Sequence, residues 1–436
     1  MRPPASPPAQ LLRPADVALM VAGIVIGAGI FRAPADVARL SGDVWTFLLL
    51  WVAGGAIALM GAFTYVALAR RAGGIGGEYR FLELGWGSGV AALFVWARMA
   101  VMQTGALATV AFVAGDYLGG LLPGSGSLWA GLAILLVTLF NLAGLRVSAA
   151  GQRIVVGLVL AALVALVAAG LSVAGTPAPP AEPVEARPNL GLALVFVMLV
   201  YGGWNEAAYL SGETRGGAAG LRKGLVGGIL LVAILYLAVN LAYLAGLGRD
   251  GLAAATAPAA LVAGRVLGEA GAAVIAAVVA LASLSTLNVT TITGARAMCA
   301  LGRDLPALGP LGHWDAGRSV PVTALLVQGG VALLLVLVGA FTRDGFEAMV
   351  AFSAPVFWAF LALVALVPFR VADLAAVRLP AALFAAACLW MLWSALGYAR
   401  FVGSADPISG WLGIAGLALV AAGIPLALRA RRPGAA

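Results

Sequence analysis

Twelve long apolar stretches divide this chain of 436 residues, near 16–33, 44–68, 90–114, 128–145, 154–174, 191–211, 224–247, 271–293, 321–341, 346–368, 380–401 and 410–428. An apolar run of about 18 residues or more is long enough to cross the hydrocarbon core of a bilayer as a helix. Inside lipid every backbone N–H and C=O must be satisfied within the segment, so stretches of this length specify helices. The sequence therefore predicts an all-α polytopic membrane protein with 12 transmembrane helices. The whole chain is 63% hydrophobic and 10% charged, a balance that excludes a soluble globular domain. Its net charge of +8 does not point to nucleic acid, because the basic residues concentrate in alternate loops.

That alternation sets the orientation, since cytoplasmic loops of membrane proteins are enriched in Lys and Arg. With the N-terminus inside, the inner segments carry eighteen Lys and Arg residues and the outer segments seven. Both termini are thus expected in the cytoplasm of a multi-pass protein of the cell membrane. The N-terminal residues 1–15 lack the apolar core and small-residue cleavage site of a signal peptide and read as a proline-rich cytoplasmic tail. Of the two cysteines, Cys388 falls in a membrane segment and Cys299 just past the cytoplasmic end of one. No outside loop holds a cysteine, so a partner subunit linked by a disulfide is not expected.

The first segment places Gly23, Gly27 and Gly29 within seven residues at its centre. Each glycine costs a helix about 1 kcal/mol relative to alanine. The glycines serve either as close-packing faces or as a place where the helix opens. An opened helix is tolerated in a bilayer only where its freed backbone faces protein or a water-filled cavity. Amides exposed at the start of a half-helix attract an anion such as a carboxylate, which makes Ile26, Gly27, Ala28 and Gly29 candidates for a carboxylate site. The sixth segment carries a second interruption, Tyr201-Gly202-Gly203-Trp204-Asn205-Glu206. Segments one and six run in opposite directions and their breaks lie five segments apart. That spacing fits a five-plus-five inverted repeat over 16–174 and 191–368, joined by the proline-rich outer linker 175–190 and followed by two further helices in 369–436. Paired interrupted segments at corresponding positions point to a transporter's binding site.

Other polar groups inside the spans leave two readings each. Arg98 is either a gate or charge partner, or a guanidinium reaching for the inner interface. Segment eight carries Ser283, Ser285, Thr286, Asn288, Thr290 and Thr291, which either line the cavity or bond back to helix carbonyls. Glu206, about a turn beyond the second break, either carries a proton or attracts a cation, or it pairs with an arginine near the inner vestibule.

The chain resembles the amino acid–polyamine–organocation superfamily, and within it the L-type amino acid transporters and their bacterial relatives. The resemblance covers nearly the whole chain and rests on several stretches. These are Gly23-Ile24-Val25-Ile26-Gly27-Ala28-Gly29-Ile30-Phe31, Gly76-Gly77-Glu78-Tyr79, Asn141 with Gly144, Tyr201-Gly202-Gly203-Trp204-Asn205, Gly294-Ala295-Arg296 and Arg303-Asp304-Leu305-Pro306. It implies a LeuT-like fold with helices 1 and 6 broken. It implies a substrate carboxylate on the amides of Gly27, Ala28 and Gly29, and an ammonium against carbonyls near Leu199, Val200, Gly202 and Gly203. Asn205 would line the side-chain pocket, and Ser283, Thr286 and Glu206 would bear on coupling or selectivity. Three departures matter. Ala28 stands where relatives often have Ser or Thr, Leu199 stands where many have an aromatic gate, and segment five lacks the lysine of proton-coupled bacterial relatives. The expected function is secondary transport of neutral α-amino acids by exchange. A proton-coupled symporter, or a carrier of cationic amino acids or polyamines using Glu206, is the alternative, and a sensor that binds an amino acid without net transport is the other. The sequence holds no cofactor motif, no metal-ligand cluster and no nucleophile–base constellation, and its single histidine, His313, lies in a cytoplasmic loop. An enzyme is not expected.

Overall fold

The computed structural model describes residues 13–72, 77–144, 149–178, 188–205, 214–304, 306–402 and 407–430. Among these residues the protein is all-helical; the only extended pairing is an isolated bridge between Asp315 and Val320. Among the described residues, nine helices are long and apolar enough to cross a membrane, and three shorter apolar helices accompany them, Pro14–Val25, Gly126–Leu142 and Leu190–Val200. Each of these helices overlaps one of the apolar stretches of the sequence. Glu206 and most of the 175–190 linker lie outside the described residues, as do residues 1–12.

The first segment divides into helix α1 (Pro14–Val25), a 3-10 turn over Ala28–Phe31 and helix α2 (Ala33–Ser41). Helix α3 (Val44–Ala72) follows. Where the sequence suggests only a basic glycine-rich loop, residues Glu78–Trp86 form a short helix, α4. Helices α5 (Ser88–Ala97) and α6 (Gln103–Gly119) are joined by a π-turn over Arg98–Met102. Helices α7 (Gly126–Leu142) and α8 (Ala149–Ser172) complete the first half. The second half holds α9 (Leu190–Val200), α10 (Gly217–Ala254), α11 (Pro258–Asp304), α12 (Val322–Gly339) and α13 (Gly345–Leu366). Helices α14 (Arg378–Val402), α15 (Pro407–Ala421) and α16 (Ile424–Ala430) close the chain.

Helix starts follow from local chemistry. The side chains of Ser125, Asn189 and Asp344 accept the amides of Leu128, Leu192 and Glu347, which supplies partners for otherwise orphaned donors at the starts of α7, α9 and α13. Helices α10 and α11 run well past the stretches 224–247 and 271–293. Each turns at a glycine in the left-handed region, Gly248 and Gly268, both at φ 68°. That conformation costs glycine little, so a helix can change direction there without ending.

Helix α9 is apolar on every side and sits in the core, with Gly191 through Met198 all buried. A helix without a polar face belongs inside the protein. Small residues let its neighbours approach. A Cβ added to Gly61 of α3 would lie 2.4 Å from the Trp204 ring, and one added to Gly54 would lie 2.4 Å from Val197. On α10, Gly224 and Gly228 receive Val17 and Val21 of α1 at 2.6 and 2.7 Å from a notional Cβ. This is the small-residue spacing that brings membrane helices into close contact.

Gly61→Val forces the Trp204 ring off α3 and is expected to lower the thermal unfolding midpoint of the purified protein by several degrees, in line with about 1–3 kcal/mol for overpacking. Gly157→Ala on α8, where a Cβ meets nothing within 4 Å, serves as the comparison and should leave the midpoint where it is or raise it.

Candidate functional site

The first break begins where the Ile26 amide donates to the Ala22 carbonyl, 2.8 Å away, as the last bond of α1. Gly27 is extended, at φ −117° and ψ −166°, and the chain then tightens into the Ala28–Phe31 turn. The first amides of such a turn have no partner within it. The second break follows α9. The Tyr201 amide donates to Val197 and the Gly202 amide to Leu199, at 3.0 and 3.3 Å. Gly203 adopts φ +100°.

The two breaks touch. A Cβ on Gly29 would lie 3.3 Å from Val200 Cγ2, and one on Gly203 would lie 3.0 Å from Ile24 Cγ2 and 3.3 Å from the Ile24 carbonyl. Tyr236 of α10 joins them, because its hydroxyl lies 2.9 Å from the Val25 carbonyl and 3.2 Å from the Val200 carbonyl. One O–H is shared between the last carbonyls of two half-helices, both of which carry partial negative charge. Two more tyrosines complete the accounting. Tyr243 of α10 donates to Ile30, and Tyr117 of α6 donates to Phe31 at 2.6 Å. The Tyr236 ring packs edge-on against Tyr201 and Trp51, and the Tyr201 hydroxyl donates to the Trp51 carbonyl.

Ile26 and Gly27 form part of the wall of a cavity of about 820 Å³. From the break the cavity runs past Gly23 and Leu19 toward the face where α1 and α8 begin. Its polar lining comes from Arg98, Gln103, Gln152, Ser285, Thr286, Thr290 and Thr293. Gln103 donates to the Thr290 carbonyl, and Ser285 donates to Gln152.

The opposite side is closed by charge. Arg32, buried between the turn and α2, meets Asp36 at 3.0 Å, Asp116 of α6 at 3.2 Å, and Asp344 at the start of α13. Arg39 meets Asp36 and Glu347 of α13. This network pins α2 to α6 and α13. Removing one partner from a buried ion pair costs about 3–5 kcal/mol, so these contacts hold firmly once made.

The candidate residues scatter around this geometry. Ile26 and Gly27 reach the cavity, Ala28 is buried, and Gly29 is pressed on Val200. The Leu199 carbonyl already faces the amides of Tyr201 and Gly202, and the Val200 carbonyl accepts Tyr236. Gly202 and Gly203 form the turn itself. Thr286 lines the cavity, yet its hydroxyl bonds back to Ala282. Ser283 is fully buried and bonds back to Val279, away from the cavity. Asn205 donates to the buried carboxylate of Glu78 at 2.7 Å. Sequence reasoning assigned no role to Tyr236, Gln103, Gln152 or Glu78. A single polar atom in an apolar run was the only signal for Tyr236.

Three substitutions test this geometry. Gly203→Ala introduces a side chain at a left-handed position already crowded by Ile24, at a cost of about 1–3 kcal/mol, and should sharply reduce uptake. Gly27→Ala, whose Cβ meets nothing nearer than 3.9 Å, should fold normally. Tyr236→Phe leaves two half-helix carbonyls without their shared donor. Loss of such a partner costs about 1–3 kcal/mol, and the unfolding midpoint and uptake should both fall.

Residues 12–411 match the amino acid permease family. The chain is 26% identical to the b(0,+)-type amino acid transporter 1 of Mus musculus, over 73% of its own length and 68% of the relative's. It is 25% identical to the serine/threonine exchanger SteT of Bacillus subtilis, over 73% and 74% of the two chains. It is 28% identical to the large neutral amino acids transporter small subunit 2 of Homo sapiens, over 73% and 62%. The meeting of the broken first segment and the end of α9 at a cavity among apolar helices is thus found in a chain that belongs to the amino acid permease family.

Proposed function

We propose that this protein is a secondary transporter that moves neutral α-amino acids across the cytoplasmic membrane by exchange, through alternating access. The observation that carries this reading is the contact between the breaks of α1 and α9 beside the cavity. There, amides at 27–29 and half-helix carbonyls near Leu199, Val200 and Gly202 lie within one small region, which suits the two charges that every α-amino acid shares. In this reading the carboxylate rests on the amides of Gly27, Ala28 and Gly29. The ammonium approaches the second lone pairs of carbonyls that Tyr236 and Gly202 already occupy in part. Asn205 acts through Glu78, and Ser283 supports α11 from behind.

The proposal includes twelve membrane crossings with both termini in the cytoplasm, the five-plus-five inverted repeat over 16–174 and 191–368, and two added helices. The nine long helices and three shorter ones support it, one to each apolar stretch. With the N-terminus inside, the cavity faces the cytoplasm and the Arg32 network seals the outside. The absence of a lysine in 154–174 supports exchange over lysine-based proton coupling. No partner subunit and no cofactor enter the mechanism.

Uptake of radiolabelled amino acid into liposomes tests the reading. Uptake only into vesicles preloaded with unlabelled amino acid is the expected result. Gradient-driven uptake into empty vesicles would replace exchange by proton coupling and make Glu206 the residue to change.

A further inference from the structure

The π-turn between α5 and α6 has a consequence for what the cavity accepts. The amide of Gln103 reaches back to the carbonyl of Arg98, closing a turn between residues five apart. In an α-helix of about 3.6 residues per turn, residues five apart point to different faces. The wider π-turn brings them round to the same side, and both Arg98 and Gln103 line the cavity. Such turns are uncommon and gather at functional sites. A guanidinium that only reached for the membrane interface would not need one.

Among the described residues that line the cavity, Arg98 alone carries a charge. A carboxylate, Glu78 at the start of α4, stands beside it, with Oε2 3.9 Å from Arg98 Nη1. The Glu78 side chain is only 3% exposed and that of Arg98 33%. The other Glu78 oxygen accepts Asn205 at 2.7 Å and the Tyr65 hydroxyl at 3.4 Å. Glu78 is therefore fixed behind the wall, and the guanidinium stands in front of it.

We propose that Arg98 is a specificity-determining residue. Displayed into the cavity by the π-turn and held there by Glu78, it disfavours amino acids with cationic side chains and leaves neutral ones as substrates. This rests on the amino acid transport reading above and names the substrate class of the same cavity. The physical basis is like-charge repulsion in a confined space with mostly apolar walls, where screening is weaker than in bulk water. An uncharged side chain of the same length meets no such cost.

The probes are L-norleucine and L-lysine, which differ by a terminal ammonium. Their affinities for the purified full-length protein are measured by calorimetry in detergent. Wild type should bind norleucine at least tenfold more tightly than lysine. Arg98→Gln should shrink that ratio at least threefold, and Arg98→Lys, which keeps the charge, should preserve it. Glu78→Gln, which removes a negative charge beside Arg98, should widen it, and this arm remains readable if Arg98→Gln does not fold. A ratio unchanged in Arg98→Gln or Glu78→Gln overturns the proposal, as does equal binding of the two ligands by wild type. If both affinities fall together in Arg98→Gln, the residue serves the common carboxylate and exclusion is refuted. Failure of every α-amino acid to bind wild type would instead refute the transport reading itself.

Discussion

A backbone carbonyl buried in a membrane protein needs a donor, and there is no water in the hydrocarbon core to supply one. Opening a helix at mid-membrane frees several such groups at once. In this protein the freed carbonyls of Val25, Ile30, Phe31 and Val200 are met by the hydroxyls of Tyr236, Tyr243 and Tyr117. A tyrosine suits the task because its ring packs in an apolar core while its hydroxyl reaches a polar partner. The remaining structure follows from this need. Helix α10 must lie against both breaks, and its glycines at 224 and 228 let α1 come close enough for Tyr236 to span them.

The two ends of the site are built from different interactions. Toward the face where α1 begins, the walls are apolar side chains with a few amides and hydroxyls and the guanidinium of Arg98. On the other side, α2 is tied by Arg32 and Arg39 to carboxylates on α2 itself, α6 and α13. In the proposed alternating cycle, a structure open at one end and held by buried ion pairs at the other is one of the two states. In that proposal, reaching the other state means separating the Arg32 network and hydrating its charges, which sets an electrostatic barrier at this end.

Much of this was legible in the sequence where the signal is local. The apolar stretches announced the membrane helices. The glycines at 27 and 29 and at 202 and 203 marked the places where α1 and α9 end, because glycine weakens a helix wherever it stands. The same logic misses glycines used for contact, such as Gly61, whose purpose appears only once Trp204 is seen against it. Partners far apart in the chain were not legible. Nothing local says that Arg32 meets Asp344, or that Tyr236 reaches Val25. Asn205 is expected in the side-chain pocket, and nothing local says that its amide donates to Glu78; Ser283 turns its hydroxyl back to its own helix, as isolated serines in membrane helices often do. The π-turn at Arg98 has no sequence signature of its own, so the residue's direction could be read only from the structure.

The central claim is that the opened backbone of the first segment binds the part of the substrate common to all α-amino acids. The most direct measurement is a structure of the protein determined with a bound neutral amino acid. The account predicts density between the two breaks, with the carboxylate within hydrogen-bonding distance of the amides of Gly27, Ala28 and Gly29 and the ammonium toward the Val200 end of α9. Density confined to the region of Gln103 and Gln152, with those amides bare, would contradict it.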